Sequence, residues 1–293
     1  MNHNSSAATS KKLSNLKGRR GEQMSSHWLS WLTPSGIRNN SRWFSKRRVK
    51  RYHVIQAAID RLRARTYLEI GVSRGTTFEK IEVPMKIGVD PIDPSEKVLR
   101  VLARGSARYF QMTSDEFFQH QADVLDGDKL EGGVDLAFVD GLHNYAQSLR
   151  DVENCLRYLK PGGVVLMHDC YPREEAMAVP APSREDARKM NVPGWKEQWT
   201  GDVWKTVVHL RSTRNDLKVC VLDCDFGIGV VIPVRVGPSR VGPSRVGKLL
   251  EYSADEIPEL PYGELAKDPK SLLDLRHPIS LGSVLDERAS RAA

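Results

Sequence analysis

Five short apolar runs recur between residues 66 and 169: TYLEIGV, MKIGVD, ARYFQMT, VDLAFVD and GVVLMHD. Between them lie stretches of helical periodicity, such as SRGTTFEKI, which starts a helix near Gly75, and PSEKVLRVLA. Strands that alternate with helices are joined by crossovers rather than hairpins, so they predict a parallel sheet with helices on both faces. Ahead of the first run, YHVIQAAIDRLRAR puts Ile55, Ala58, Ile59 and Leu62 on one helical face. Beyond the fifth, WTGDVWKTVVHLRS predicts a helix with Thr200 as N-cap and Val203, Val207 and Leu210 inward. LKVCVLDCDFGIGVVIP then predicts two strands broken by DCDFG, an antiparallel hairpin. The sum is an α/β domain over residues 52–235: a doubly wound, mostly parallel, seven-stranded sheet with an antiparallel terminal hairpin.

The flanks differ in composition. The net charge is +7, yet residues 1–51 hold twelve Lys and Arg against one acid, Glu22, so the rest of the chain is acidic by four. That basic arm is Ser-rich and poor in apolar residues, which predicts disorder. Its SHWLSWL and SRWFSKRRVKR segments fit a short helix packed on the domain, and leave open a membrane-surface helix or a nucleic-acid contact. VGPSRVGPSR duplicates five residues at 236–245, too few copies for a solenoid. Residues 236–293 are therefore expected to be a flexible repeat loop and a peripheral tail. No run approaches eighteen apolar residues, and the N-terminus shows no secretory h-region. Four cysteines without CxxC spacing suit a reducing compartment, so a cytoplasmic location is expected.

The chemistry gathers at the carboxyl ends of the strands. LEIGVSRGTT places Glu69, Gly71 and Gly75 in the first strand-to-helix turn, where small residues let a ligand approach the backbone. The pattern is not the Gly-x-Gly-x-x-Gly of pyrophosphate-binding dinucleotide folds. Asp90 closes the second run 21 residues after Glu69, where an acid in a doubly wound sheet holds a ribose diol. Asp140 ends the fourth run, and 29 residues later Asp169 ends the fifth, after His168. Between them Asn144 caps a helix, with Gln147 in capping-box position and Tyr145, Leu149, Val152, Leu156 and Leu159 as its inward stripe. Neighbouring strands lie about 4.8 Å apart, so Asp140 and Asp169 are expected to face one another. Such a pair calls for a cation or a proton, with Mg²⁺ a natural mediator, and His143 is placed to take a proton.

These segments, together with IGVDPID, the Leu-x-Pro-Gly-Gly turn and TGDVWK, resemble the class I S-adenosylmethionine-dependent methyltransferases over residues 52–233. More narrowly they resemble the branch of macrocin-type sugar O-methyltransferases. The resemblance implies a Rossmann-like methyltransferase fold and a cofactor whose methionine end is lined by Glu69, Gly71 and Gly75, with Ser73 and Asp140 also among the cofactor-binding residues. It implies ribose contacts from Asp90, and adenine contacts from Ser114 and Asp115. Asp140 and Asp169 would hold Mg²⁺ in metal-dependent members, and His143 would be the base. Where those members carry an acid before Asp169, this chain has His168, which leaves both a cation held by Asp140, His168 and Asp169 and metal-free base catalysis open.

The function expected is O-methylation of a hydroxyl on a small, sugar-containing molecule. The insert CYPREEAMAVPAPSREDARKMNVPGWKEQW, with Tyr171, Trp195 and Trp199, is expected to form a lid over that acceptor. The alternatives are a nucleic-acid methyltransferase guided by the basic arm, and a non-catalytic nucleoside binder. Homo-oligomer formation is left open.

Overall fold

A computed structural model describes residues 49–127, 130, 132–234 and 250–287. The expected disorder of the arm, its aromatic segments and the VGPSR loop lie outside the described residues.

The strands are β1 (Thr66–Ile70), β2 (Met85–Asp90), β3 (Ala107–Gln111), β4 (Val134–Val139), β5 (Leu159–Met167), β6 (Leu217–Leu222), β7 (Ile228–Pro233) and β8 (Leu275–Arg276). They form one sheet in the order β3-β2-β1-β4-β5-β7-β6-β8. Strands β1 to β5 pair in parallel, and β7 runs antiparallel between β5 and β6. The mostly parallel α/β fold and its antiparallel hairpin are thus as expected. The chain reverses its strand order at β1 and β4, and in open α/β sheets ligands bind at the carboxyl edge of such a switch point.

Burial explains why the strands are so uniformly apolar. Leu68, Ile70, Ile87, Val89, Val139 and Val165 point into one core, and Tyr67, Leu136, Phe138, Val164 and Leu166 into the other. Both sheet faces are covered, so side chains on either side must be apolar.

Three differences from expectation are informative. The sheet has eight strands, because β8, from the segment expected to be a peripheral tail, pairs in parallel with β6. In the same segment Val284 and Leu285 of the Leu281–Asp286 helix are fully buried, and that helix packs on the Arg51–Leu62 helix. Short apolar clusters in a Pro-rich stretch gave too weak a period to reveal this burial. The Tyr145–Arg157 helix is capped by Asn144 as expected, its carboxamide oxygen accepting from Gln147 N at 2.8 Å. Its buried residues, however, are Ser148, Asp151, Val152 and Cys155. The expected stripe packs on the core, with Tyr145, Leu149, Leu156 and Leu159 partly buried around Val152, and Ser148 Oγ lies 2.6 Å from Thr206 Oγ1 of the Trp204–Thr213 helix, so small polar side chains are buried beside the apolar ones. Thr200 does not cap that second helix; its hydroxyl and amide donate instead to the Met177 carbonyl.

Candidate active site

The sheet ladder continues one residue past β1, β4 and β5. Gly71 N donates to Val89 O (2.9 Å), Asp140 N to Ile70 O (2.8 Å) and His168 N to Val139 O (3.0 Å). Gly71, Asp140 and His168 therefore stand abreast at the carboxyl edge. Gly71 has φ +87°, and a Cβ there would lie 2.0 Å from the Asp140 carbonyl oxygen, so only glycine fits.

Register changes one expectation. Val139 pairs with Met167, which puts His168, not Asp169, beside Asp140. Asp169 reaches the cluster through a left-handed turn at φ 58°. Such a conformation in a non-glycine residue is strained, and strain of this kind collects at functional sites. Asp169 Oδ2 then lies 3.1 Å from both His143 Nε2 and His168 Nδ1. Asp140 Oδ1 lies 3.2 Å from His168 Nδ1 and 3.7 Å from His143 Nε2.

The sequence reading missed the neighbours that complete this cluster. Arg51, the first residue of its helix, donates from Nη1 to Asp140 Oδ2, and the same nitrogen lies 3.2 Å from His168 Nδ1. Asp225, in the turn between β6 and β7, accepts from Arg51 N and from Lys50 Nζ, both at 2.9 Å. Its Oδ2 lies 3.8 Å from His168 Nε2. Arg51 had been counted with the basic arm, and Asp225 read as a turn residue. A turn acid flanked by Cys224 and Phe226 is the only signal in the sequence that could have pointed to it.

Charge follows geometry. Burial disfavours the Asp140 carboxylate, yet His168, His143 and Arg51 outweigh it and hold its pKa well below the usual range. Asp225 is held low by His168, Lys50 and the Arg51 amide, again against burial. Burial works to neutralise His143 and His168, but Asp169 and Asp140 win and raise both.

Arg51, Asp140, His143, His168 and Asp169 open onto a cavity of about 800 Å³ that also holds Gly71, Ser73, Asp90, Ser114 and Asp115. Asp90 accepts from Ser73 N at 2.7 Å and Ile92 N at 3.0 Å, which fixes its carboxylate toward the cavity. Gln147 does not complete a capping box; its amide donates to Ser114 Oγ (3.1 Å), Asp115 Oδ1 (3.0 Å) and Asp151 Oδ1 (3.0 Å). Two expected cofactor residues do not line the cavity. Glu69 is buried and accepts from the Tyr67 hydroxyl at 2.7 Å. Gly75 lies under Val98, whose Cγ2 a Cβ there would meet at 2.6 Å.

The insert over residues 170–199 closes one side. Trp199 stacks on His143 at 5.0 Å between ring centroids, and its carbonyl oxygen lies 3.2 Å from His143 Nδ1. A carbonyl can only accept, so Nδ1 carries the proton and Nε2 faces the acids. Gly201 (φ +57°) permits this, since a Cβ there would collide with the His143 carbonyl at 1.7 Å. Arg184, Glu197 and Gln198 line the same wall, whereas Tyr171 and Trp195 do not. Asp140, His143 and Asp169 each present a donor atom within 4.8 Å of the others.

Residues 68–170 match a family model described as a methyltransferase domain. No curated protein matches the chain. Among solved structures, a methyltransferase of Podospora anserina bound to SAH is similar, at 17% identity and TM-score 0.45 over 72% of this chain and 87% of that one. The O-methyltransferase TomG of Streptomyces achromogenes, involved in tomaymycin synthesis and bound to SAM, is 16% identical at TM-score 0.42 over 61% and 78%. An O-methyltransferase of Bacillus cereus with SAH is 13% identical at TM-score 0.43 over 63% and 82%. No helix among the described residues is long and apolar enough to cross a membrane. The enzyme class expected from the sequence, a methyltransferase, is borne out by this match over residues 68–170.

Proposed function

We propose that the chain transfers a methyl group from S-adenosylmethionine to a hydroxyl of a small, sugar-containing molecule. The observation that carries this is a single cavity of about 800 Å³ holding Gly71, Asp90, Ser114, Asp140, His143 and Asp169 at the carboxyl edge of the switch point. Its size suits a nucleoside cofactor together with an acceptor. Asp90 can accept from the ribose hydroxyls, and the Gly71 turn admits the methionine end. Ser114 and Asp115 can reach the adenine. When bound, the cofactor supplies an electrophilic methyl group on a sulfonium.

His143 takes the acceptor's hydroxyl proton on Nε2, and Asp169 and Asp140 stabilise the imidazolium that results. The Trp199 carbonyl fixes the ring so that Nε2 faces the reacting side. Arg184, Glu197, Gln198 and the Trp199 ring give the wall above His143 the mixture of polar groups and flat aromatic surface that a sugar ring contacts. That wall is the acceptor lid.

Calorimetric titration of the full chain with S-adenosylmethionine and with NAD tests the cofactor. S-adenosylmethionine should bind, and Asp90→Asn should weaken it about 10- to 100-fold, since charged acceptors contribute about 1.5–3 kcal/mol to a hydrogen bond. Preference for NAD would sink the assignment. With labelled methyl donor and a set of glycosides, His143→Ala should lower transfer by about 10²-fold or more while cofactor still binds. Binding without transfer to any hydroxyl would leave a nucleoside-binding protein.

A further inference from the structure

Three carboxylates, Asp140, Asp169 and Asp225, meet at this edge, and three basic side chains face them besides His143. Arg51 Nη1 holds Asp140 Oδ2, and its Nε lies 3.5 Å from Asp225 Oδ2. Lys50 holds the other Asp225 oxygen. His168 Nδ1 lies between Asp140 Oδ1 at 3.2 Å and Asp169 Oδ2 at 3.1 Å. Arg51 thus bridges two of the three carboxylates, Asp140 and Asp225, with a charge that does not depend on pH.

Mg²⁺ fits this donor set poorly. Mg²⁺ requires near-octahedral oxygen ligands at about 2.0–2.1 Å. Here one Asp140 oxygen is engaged by a guanidinium and the other by an imidazole, while His143 offers nitrogen. For the Asp140 carboxylate a metal would compete with Arg51. That residue is built in: its backbone N–H is held by Asp225, and Val54 and Ile55 of the same helix are buried in the core. Its side chain remains 31% exposed where it lines the cavity, beside His143.

We propose that Arg51 is the resident cation of this site, orienting the acceptor oxygen beside His143 where a divalent metal would otherwise do so. Arg51 is thus a positioning residue contributed from the segment ahead of the matched domain. The proposal rests on the methyl-transfer reading above.

The test is titration of the full-length chain with Mn²⁺, followed by electron paramagnetic resonance, in the wild type, Arg51→Lys and Arg51→Ala. S-adenosylmethionine binding is measured on the same samples to report folding. The wild type and Arg51→Lys should bind no Mn²⁺ at concentrations up to about 1 mM, the weak end of protein sites for hard divalent cations. Arg51→Ala should acquire one site, at least about tenfold tighter, which Asp140→Asn removes again. Methyl transfer should be insensitive to EDTA, fall in Arg51→Ala and recover in part in Arg51→Lys. Stoichiometric micromolar Mn²⁺ binding by the wild type would overturn the proposal, as would an Arg51→Ala protein that binds the cofactor yet gains no Mn²⁺. Failure of the wild type to bind S-adenosylmethionine would count against the methyl-transfer reading itself, a result distinct from either Mn²⁺ outcome.

Discussion

His143 and Glu69 show how burial and charge divide the work at single residues. Burial alone would keep His143 neutral, but Asp169 and Asp140 raise its pKa above the ordinary 6.5. The base form therefore appears only as pH rises through that raised value, and methyl transfer should climb with it. Asp169→Asn removes the larger raising charge, so the ascending limb of the pH–rate profile should move to lower pH. For Glu69 burial dominates and pushes the pKa up to about 8, while the Tyr67 hydroxyl works against it. The folded protein keeps this proton after the unfolded chain, with its ordinary value near 4.5, has lost it. Stability from this group is complete below pH 4.5 and is lost as pH rises toward about 8. Glu69→Gln should remove that slope, gaining on the wild type by on the order of a few kcal/mol between pH 5 and pH 9 in denaturant titrations.

At the scale of elements, the turn between β6 and β7 does more than reverse the chain. Asp225 and Phe226 are both left-handed, at φ 41° and 65°, and that pair of strained residues aims the Asp225 carboxylate at Lys50, Arg51 and His168. Asp225→Ala should leave those basic groups uncompensated and cost on the order of 3 kcal/mol, seen as a lowered unfolding midpoint. Transfer should fall as well, because Arg51 loses its anchor. The central strands were legible in sequence because they are apolar on both faces; Met85–Asp90 matches its expected bounds to the residue. The apolar stripe of the Tyr145–Arg157 helix was legible too, whereas its buried Ser148 was not, because Thr206 of a helix distant in sequence packs on it. Asp90, Asp140, His143 and Asp169 were legible because they end strands or begin a helix, positions that topology brings to one edge. Arg51 and Asp225 were not, for they meet across 174 residues.

For the whole molecule, the described tail is structural. Leu285→Ala should cost about 2–5 kcal/mol, the usual price of a cavity at a fully buried leucine, measurable by denaturant titration. What the sequence by itself determined was the alternation of strands and helices, the switch-point edge and the residue types displayed there, since periodicity and strand ends are local properties. Only the tertiary structure decided that His168 rather than Asp169 stands beside Asp140, that Glu69 turns away from the cavity, and that Arg51 supplies its cation. Register, burial and long-range charge pairing depend on which distant segments come to lie against each other, and no local pattern encodes that.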